Sequence, residues 1–345
     1  MSAPEREDRR AGRSRSRAVY SALDLGTNNC RLLIARPARN GFRVIDAFSR
    51  IVRLGEGLSQ SGALSDAAMT RAIAALDICA RKIRRRRVTC MRAVATEACR
   101  SAANREAFLR RVKAETGLNL DIISAAEEAR LAVVGCQALL DPSCRDALVF
   151  DIGGGSTELI LVRRTGPDRL RIRGWISIPF GVVNVAERFG LGRLHEEDVT
   201  AIIALLHGEM EDFRRRMGNG AAAGDGELLL LGTSGTVTTL ASLALGLPRY
   251  DRARVDGVWL ALAEMRRLAR EVALMDHEAR RRQPCIGDER ADYVAAGCGI
   301  LAAILDAWPA TRLRVADRGI REGILRGLMG ISHLESPRRR ARGAG

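Results

Sequence analysis

The chain has 345 residues, 47% hydrophobic and 4% aromatic, and 56 Lys and Arg against 41 Asp and Glu give a formal charge of +15. This balance excludes a disordered chain and favours two globular domains with cores of Ala, Leu, Val and Ile. No run is apolar for long enough to serve as a signal peptide or membrane span, so a soluble, cytoplasmic protein with no membrane partner is expected.

Residues 1–17 are polar, Arg-rich and aperiodic and read as a disordered basic tail; 333–345 read the same way. An apolar run over 18–23 leads into Asp24-Leu25-Gly26-Thr27-Asn28-Asn29, and a second apolar run follows at 31–35. That pattern is strand, tight turn, strand, with a carboxylate closing the incoming strand. Glycine lets backbone N–H groups approach an anion, and the Asp can hold a hard cation. Residues 42–51 extend the meander. Ser65-Asp66 opens a helix whose end carries Arg81-Lys82 and Arg84 to Arg87, a cluster suited equally to a polyanion or to a helix C-terminus. A strand over 88–95, a helix over 104–116, a strand over 120–123 and a helix over 125–140 complete the first half.

The second half opens in the same way. Strands over 148–162 flank Asp151-Ile152-Gly153-Gly154-Gly155-Ser156-Thr157-Glu158, and a third strand spans 170–178. Helices follow at 182–189 and 197–217, a strand at 228–231, and helices at 237–245, 259–273 and 291–308. A strand at 312–315 and a helix at 319–329 end it. The pattern predicts two copies of one α/β unit, 18–143 and 144–332, with the boundary near 141–145.

Two further segments carry chemistry. Gly232-Thr233-Ser234-Gly235-Thr236 joins a strand to a helix, where free N–H groups favour phosphate, although the Walker pattern is absent. In Ser124-Ala-Ala-Glu127-Glu128-Ala-Arg130, Ser124 and Glu127 have capping-box spacing, which assigns Glu127 to the helix start. Glu128 projects about 100° further round the helix. It is left either to take a proton from water or merely to favour the helix dipole. Arg31 and Arg100 are candidate phosphate ligands, since a guanidinium grips phosphate oxygens in pairs. Glu158 could join Asp24 and Asp151 around a cation. The turn Asp317 to Gly323 suits hinge packing or a helix cap. The eight cysteines include no C-x-x-C pair and the four histidines lack ligand spacing, so reduced thiols and no zinc site are expected.

With these segments in view, the chain resembles the exopolyphosphatase/guanosine pentaphosphate phosphohydrolase (Ppx/GppA) family of the actin, Hsp70 and sugar-kinase superfamily. The carriers are Ala22 to Asn28, Ala95-Thr96 with Arg100, Ile123 to Arg130, Phe150 to Glu158, Gly232 to Thr236 and Ala316 to Gly323. The resemblance implies two ribonuclease-H-like domains flanking a cleft and Mg²⁺-dependent removal of the terminal phosphate of polyphosphate or guanosine pentaphosphate (pppGpp). It implies that Glu128 is the base for the attacking water, with Glu158 the other catalytic carboxylate. Asp24 and Asp151 would anchor the metal. Phosphate would rest on Thr27, Asn28, Asn29, Arg31 and Arg100, on Gly153, Gly154, Gly155, Ser156 and Thr157, and on Gly232, Ser234, Gly235 and Thr236. Nothing matches the helical HD-type third domain of longer members, and Asp276-His277 stands in the wrong order for it. A homodimer stays open and nucleic acid is not expected as a partner. The rival readings are a non-catalytic polyanion-binding module and, more distantly, a sugar kinase.

Overall fold

A computed structural model describes residues 18–39, 41–167, 169–218, 228–331 and 334. The expected basic tails lie outside these residues, apart from Leu334, which bridges to Leu170.

Both acidic turns cap sheets of one design. In the first, β1 (Tyr20–Leu25), β2 (Asn29–Ala38) and β3 (Gly41–Ile51) form an antiparallel meander. β4 (Cys90–Ala95) and β5 (Asp121–Ile122) then extend it parallel to β1, in the order β3-β2-β1-β4-β5. In the second sheet, β6 (Asp146–Ile152), β7 (Thr157–Gly166) and β8 (Arg169–Ile178) make the meander. β9 (Leu229–Thr233) and β11 (Arg312–Ala316) are the parallel strands, and β10 (Trp259–Ala261) pairs antiparallel on the far edge. The repeated order is that of two ribonuclease-H-like α/β domains.

Helices of the first half are α1 (Leu58–Ser61), α2 (Asp66–Arg85), α3 (Glu97–Ser101), α4 (Arg105–Thr116) and α5 (Ala125–Cys136). The second half supplies α6 (Val182–Phe189), α7 (Glu196–Met217), α8 (Gly235–Ala244), α9 (Arg252–Val255) and α10 (Leu262–Leu274). α11 (His277–Arg282), α12 (Gly287–Ala307) and α13 (Ile320–Leu328) follow. Two sequence readings are refined here. The helix expected from 259 begins only at Leu262, because Trp259 pairs with Arg314 across β10–β11 and its ring lies 4.2 Å from the Arg312 guanidinium. The basic cluster is a helix end: Lys82, Arg85 and Arg86 all reach Asp46, at 2.7, 3.4 and 2.8 Å.

Packing also crosses the division expected at 143/144. From the second half, α13 covers the first sheet, where Ile320, Ile324 and Leu325 join Ala22, Leu33 and Val94 in one buried cluster. From the first half, α5 covers the second sheet, with Ala129, Val133 and Cys136 against Val149, Ile160 and Leu231. The two helices cross at backbone contact. A Cβ on Gly135 would stand 2.0 Å from the Gly319 carbonyl oxygen, and one on Gly323 2.0 Å from that of Leu131. Each domain is therefore roofed partly by the other, and the cleft between the turns is held at its base by this crossing.

Candidate active site

The two acidic turns are closed by the same hydrogen bond. Gly26 N–H donates to Asn29 O and Gly153 N–H to Ser156 O, each at 2.9 Å, two residues after the carboxylate in both turns. They face each other across a cavity of about 200 Å³ at near contact. A Cβ on Gly154 would lie 3.0 Å from Asn28 N, and one on Gly155 would lie 2.9 Å from Thr27 Oγ1. Only glycine allows this approach. Among the described residues, the N–H groups of Thr27, Asn28, Gly154, Gly155 and Ser156 donate to no protein acceptor. They line the cavity as two donor-rich walls, the arrangement that holds an anion.

A third wall comes from the α8 N-terminus. Ser234 caps that helix, its Oγ accepting from Val237 N at 3.1 Å, and leaves Gly235 and Thr236 at the cavity. Gly232 does not reach the cleft: it lies within β9, where a Cβ would strike the Phe150 ring at 2.6 Å. Thr157 is turned away and donates to Phe180 O.

On α5 the structure separates the adjacent glutamates. Ser124 Oγ accepts from Glu127 N at 3.2 Å, so half of the expected capping box forms. The other half does not, because the Glu127 carboxylate pairs with Arg92 and Arg130. Two fixed cations there offer more than one backbone N–H. Glu128 is buried, 8% exposed, and opens on the cavity. Its Oε2 accepts from Arg100 Nη1 at 2.6 Å. Arg100 also donates to Ile123 O and, through Nε and Nη2, to Glu97. Its guanidinium is thus committed to the protein, while the side chain of Arg31, opposite Asp24 in the β1–β2 register, makes no hydrogen bond to the described residues, and Arg31 lines the cavity.

Burial pushes the Glu128 carboxyl up to about 8, helped by Glu158 and Asp24 and opposed by Arg100. Asp151 rises to about 7 through burial, offset by Arg31. Glu158 rises to about 7, again through burial, although Ser156 and Ser177 hydroxyls donate to its Oε1. Asp24 is raised for the same first cause. Such a cluster of like charges in a low-dielectric space calls for a cation.

The donors fit a hard cation. Asp24 Oδ1 and Asn28 Oδ1 are buried and accept no hydrogen bond from the protein. Asp24 and Asp151 both line the cavity, while no three His, Cys, Asp or Glu side chains among the described residues form a cage. One or two carboxylates completed by water and substrate phosphate is the usual setting for Mg²⁺. Sequence reasoning missed Arg50, Thr239, Arg290 and Tyr293, which also line the cavity. They lie outside the recognisable turns, and only the tertiary fold brings them there.

A sequence profile of the Ppx/GppA phosphatase family matches residues 33–331. A solved Ppx/GppA family member from Aquifex aeolicus is 30% identical with a TM-score of 0.73, covering 89% of this chain and 96% of that one. An exopolyphosphatase-like protein is 26% identical with a TM-score of 0.78, covering 91% and 98%. An exopolyphosphatase from Cytophaga hutchinsonii, 23% identical with a TM-score of 0.79 over 92% and 100% of the chains, shares the fold. The chain belongs to the Ppx/GppA phosphatase family.

Proposed function

We propose that this Ppx/GppA phosphatase hydrolyses the terminal phosphoanhydride bond of inorganic polyphosphate, with Glu128 as general base. The observation that carries the reading is a buried carboxyl, Glu128, open to a cavity walled by unpaired backbone N–H groups from both domains. The turn amides and Arg31 hold the terminal phosphoryl oxygens and stabilise the charge that spreads over them in a loose transition state. Glu128 takes the proton of the water that attacks phosphorus, and the shortened chain leaves on the opposite side. Arg100 holds the Glu128 carboxylate at one oxygen and leaves the other for water. Asp24 and Asp151 would hold Mg²⁺, which would neutralise phosphate charge and, by its own charge, favour the ionised form of the surrounding carboxylates. Glu158, beneath the second turn, fixes Ser156.

Hydrolysis of pppGpp is the second reading. Tyr293, Val294 and Ile51 give the cleft an apolar wall that a nucleoside can use and a bare phosphate chain does not need. Phosphate release from polyphosphate and from pppGpp, side by side in a Mg²⁺ titration, tests both. The expected result is faster release from polyphosphate, with Asp151→Asn needing more Mg²⁺ for half-maximal rate. Release from neither would overturn the proposal, and an unchanged Mg²⁺ titration would remove Asp151 from the metal site.

A further inference from the structure

We propose that Arg53 senses chain length: a phosphate chain too long for the cavity draws Arg53 away from Asp292 and unfastens a clasp across the cleft mouth. This rests on the phosphatase reading above. The segment after β3 is tied directly to the first acidic turn. Val52 N and Arg53 N both donate to Asn28 O, at 2.8 and 3.1 Å, and Gly55 N donates to Thr27 O at 2.9 Å. A Cβ on Gly55 would stand 2.3 Å from Thr27 Cγ2, so segment and turn move together.

The same segment is fastened to the second domain at two points. Glu187 on α6 accepts from Gly57 N at 2.8 Å and from Ser59 Oγ at 2.6 Å. Asp292 on α12 accepts from Arg53 Nη2 at 2.5 Å, and its other oxygen meets His277 Nε2 at 2.8 Å. Arg53 sits over the Tyr293 ring at 5.5 Å, and its backbone has a φ of +48°, uncommon outside glycine and held here by the bond to Asn28.

A groove beside this clasp shares a wall with the cavity. Ile51 lines both the cavity and an adjoining groove whose other walls are Arg53, Glu56 and Arg71. Arg71 and Glu56 pair within the first domain, and Arg71 also holds Val52 O. The carboxylate partner of Arg53 instead lies across the cleft, so a ligand that takes Arg53 loosens the two domains. A phosphate chain leaving along Ile51 presents paired oxygens that a guanidinium grips as well as it grips a carboxylate. A chain anchored by its terminal phosphate reaches Arg53 at high effective concentration, and Asp292 keeps His277 when the exchange occurs. A chain contained within the cavity leaves the clasp shut.

The test is the ratio of KM for long-chain polyphosphate to KM for tripolyphosphate. Asp292→Asn frees Arg53 for the chain and should lower the ratio. Arg53→Gln removes the sensor and should raise it. Each change should be about fivefold, the worth of one half-exposed charge contact. Arg53→Lys, which keeps the charge without the fork, should raise the ratio by less and serves if Arg53→Gln does not fold. Shifts in the same direction for Asp292→Asn and Arg53→Gln, or no shift in either, would overturn the proposal. Titration calorimetry with the two chains reads the same split in Kd without turnover. A catalytically silent wild type would therefore sink the phosphatase reading while leaving this test intact.

Discussion

Asp24, Glu128, Asp151 and Glu158 share one buried space, and burial raises the proton affinity of each. The consequence for stability has a definite sign. Between about pH 4.5, where such carboxyls ionise in the unfolded chain, and about 8, where Glu128 ionises in the fold, the folded state carries more protons than the unfolded one. Stability therefore falls as pH rises through that window. Carboxylates with depressed values, such as Asp46 beside Lys82 and Arg86, have given their full contribution before pH 6. Thermal melts of metal-free protein should give a lower Tm at pH 8 than at pH 6, and Mg²⁺ should narrow the gap. A Tm that rises over this range, or a gap untouched by Mg²⁺, would contradict the shared-charge reading. At this scale the sequence spoke clearly where chemistry is local. The separation of Glu127 from Glu128 follows from helical geometry and one capping serine. The commitment of Arg100 to Glu128 was not legible, because α3 and α5 meet only in the fold, whereas its pairing with Glu97 is a local contact within α3.

The elements repeat, and so do their errors of reading. The strand–turn–strand units were legible because alternating apolar runs bracket glycine, and the matching Gly26–Asn29 and Gly153–Ser156 bonds give that pattern its geometry. β10 was hidden because three residues are too few to show a period. The exchange of α5 and α13 between sheets was hidden because apolar periodicity marks a buried face without naming what covers it. Its one trace is glycine placement. Gly135→Ala or Gly323→Ala would force a methyl group onto a carbonyl 2.0 Å away and should cost about 1–3 kcal/mol in urea unfolding. Gly327→Ala on the same helix α13 meets nothing within 4 Å and should be neutral or stabilising by about 0.5–1 kcal/mol. Equal effects at Gly323 and Gly327 would contradict the crossing.

For the whole molecule, the formal charge of +15 indicated an anionic partner without locating its site. The densest basic cluster lies at a helix end, where Lys82, Arg85 and Arg86 are bound to Asp46. Inside the cleft, fewer arginines act beside backbone N–H groups that no charge count reveals. The two halves bring their turns together over a cavity with Glu128 at its wall, so under the proposed function holding and hydrolysing fall to different residues. Replacing Glu128 with Gln separates these tasks most directly. The Glu128→Gln protein should fold, bind polyphosphate with wild-type Kd, and release phosphate about 10²–10⁴ times more slowly. Turnover near the wild-type rate with binding intact would contradict the central claim that Glu128 activates the water.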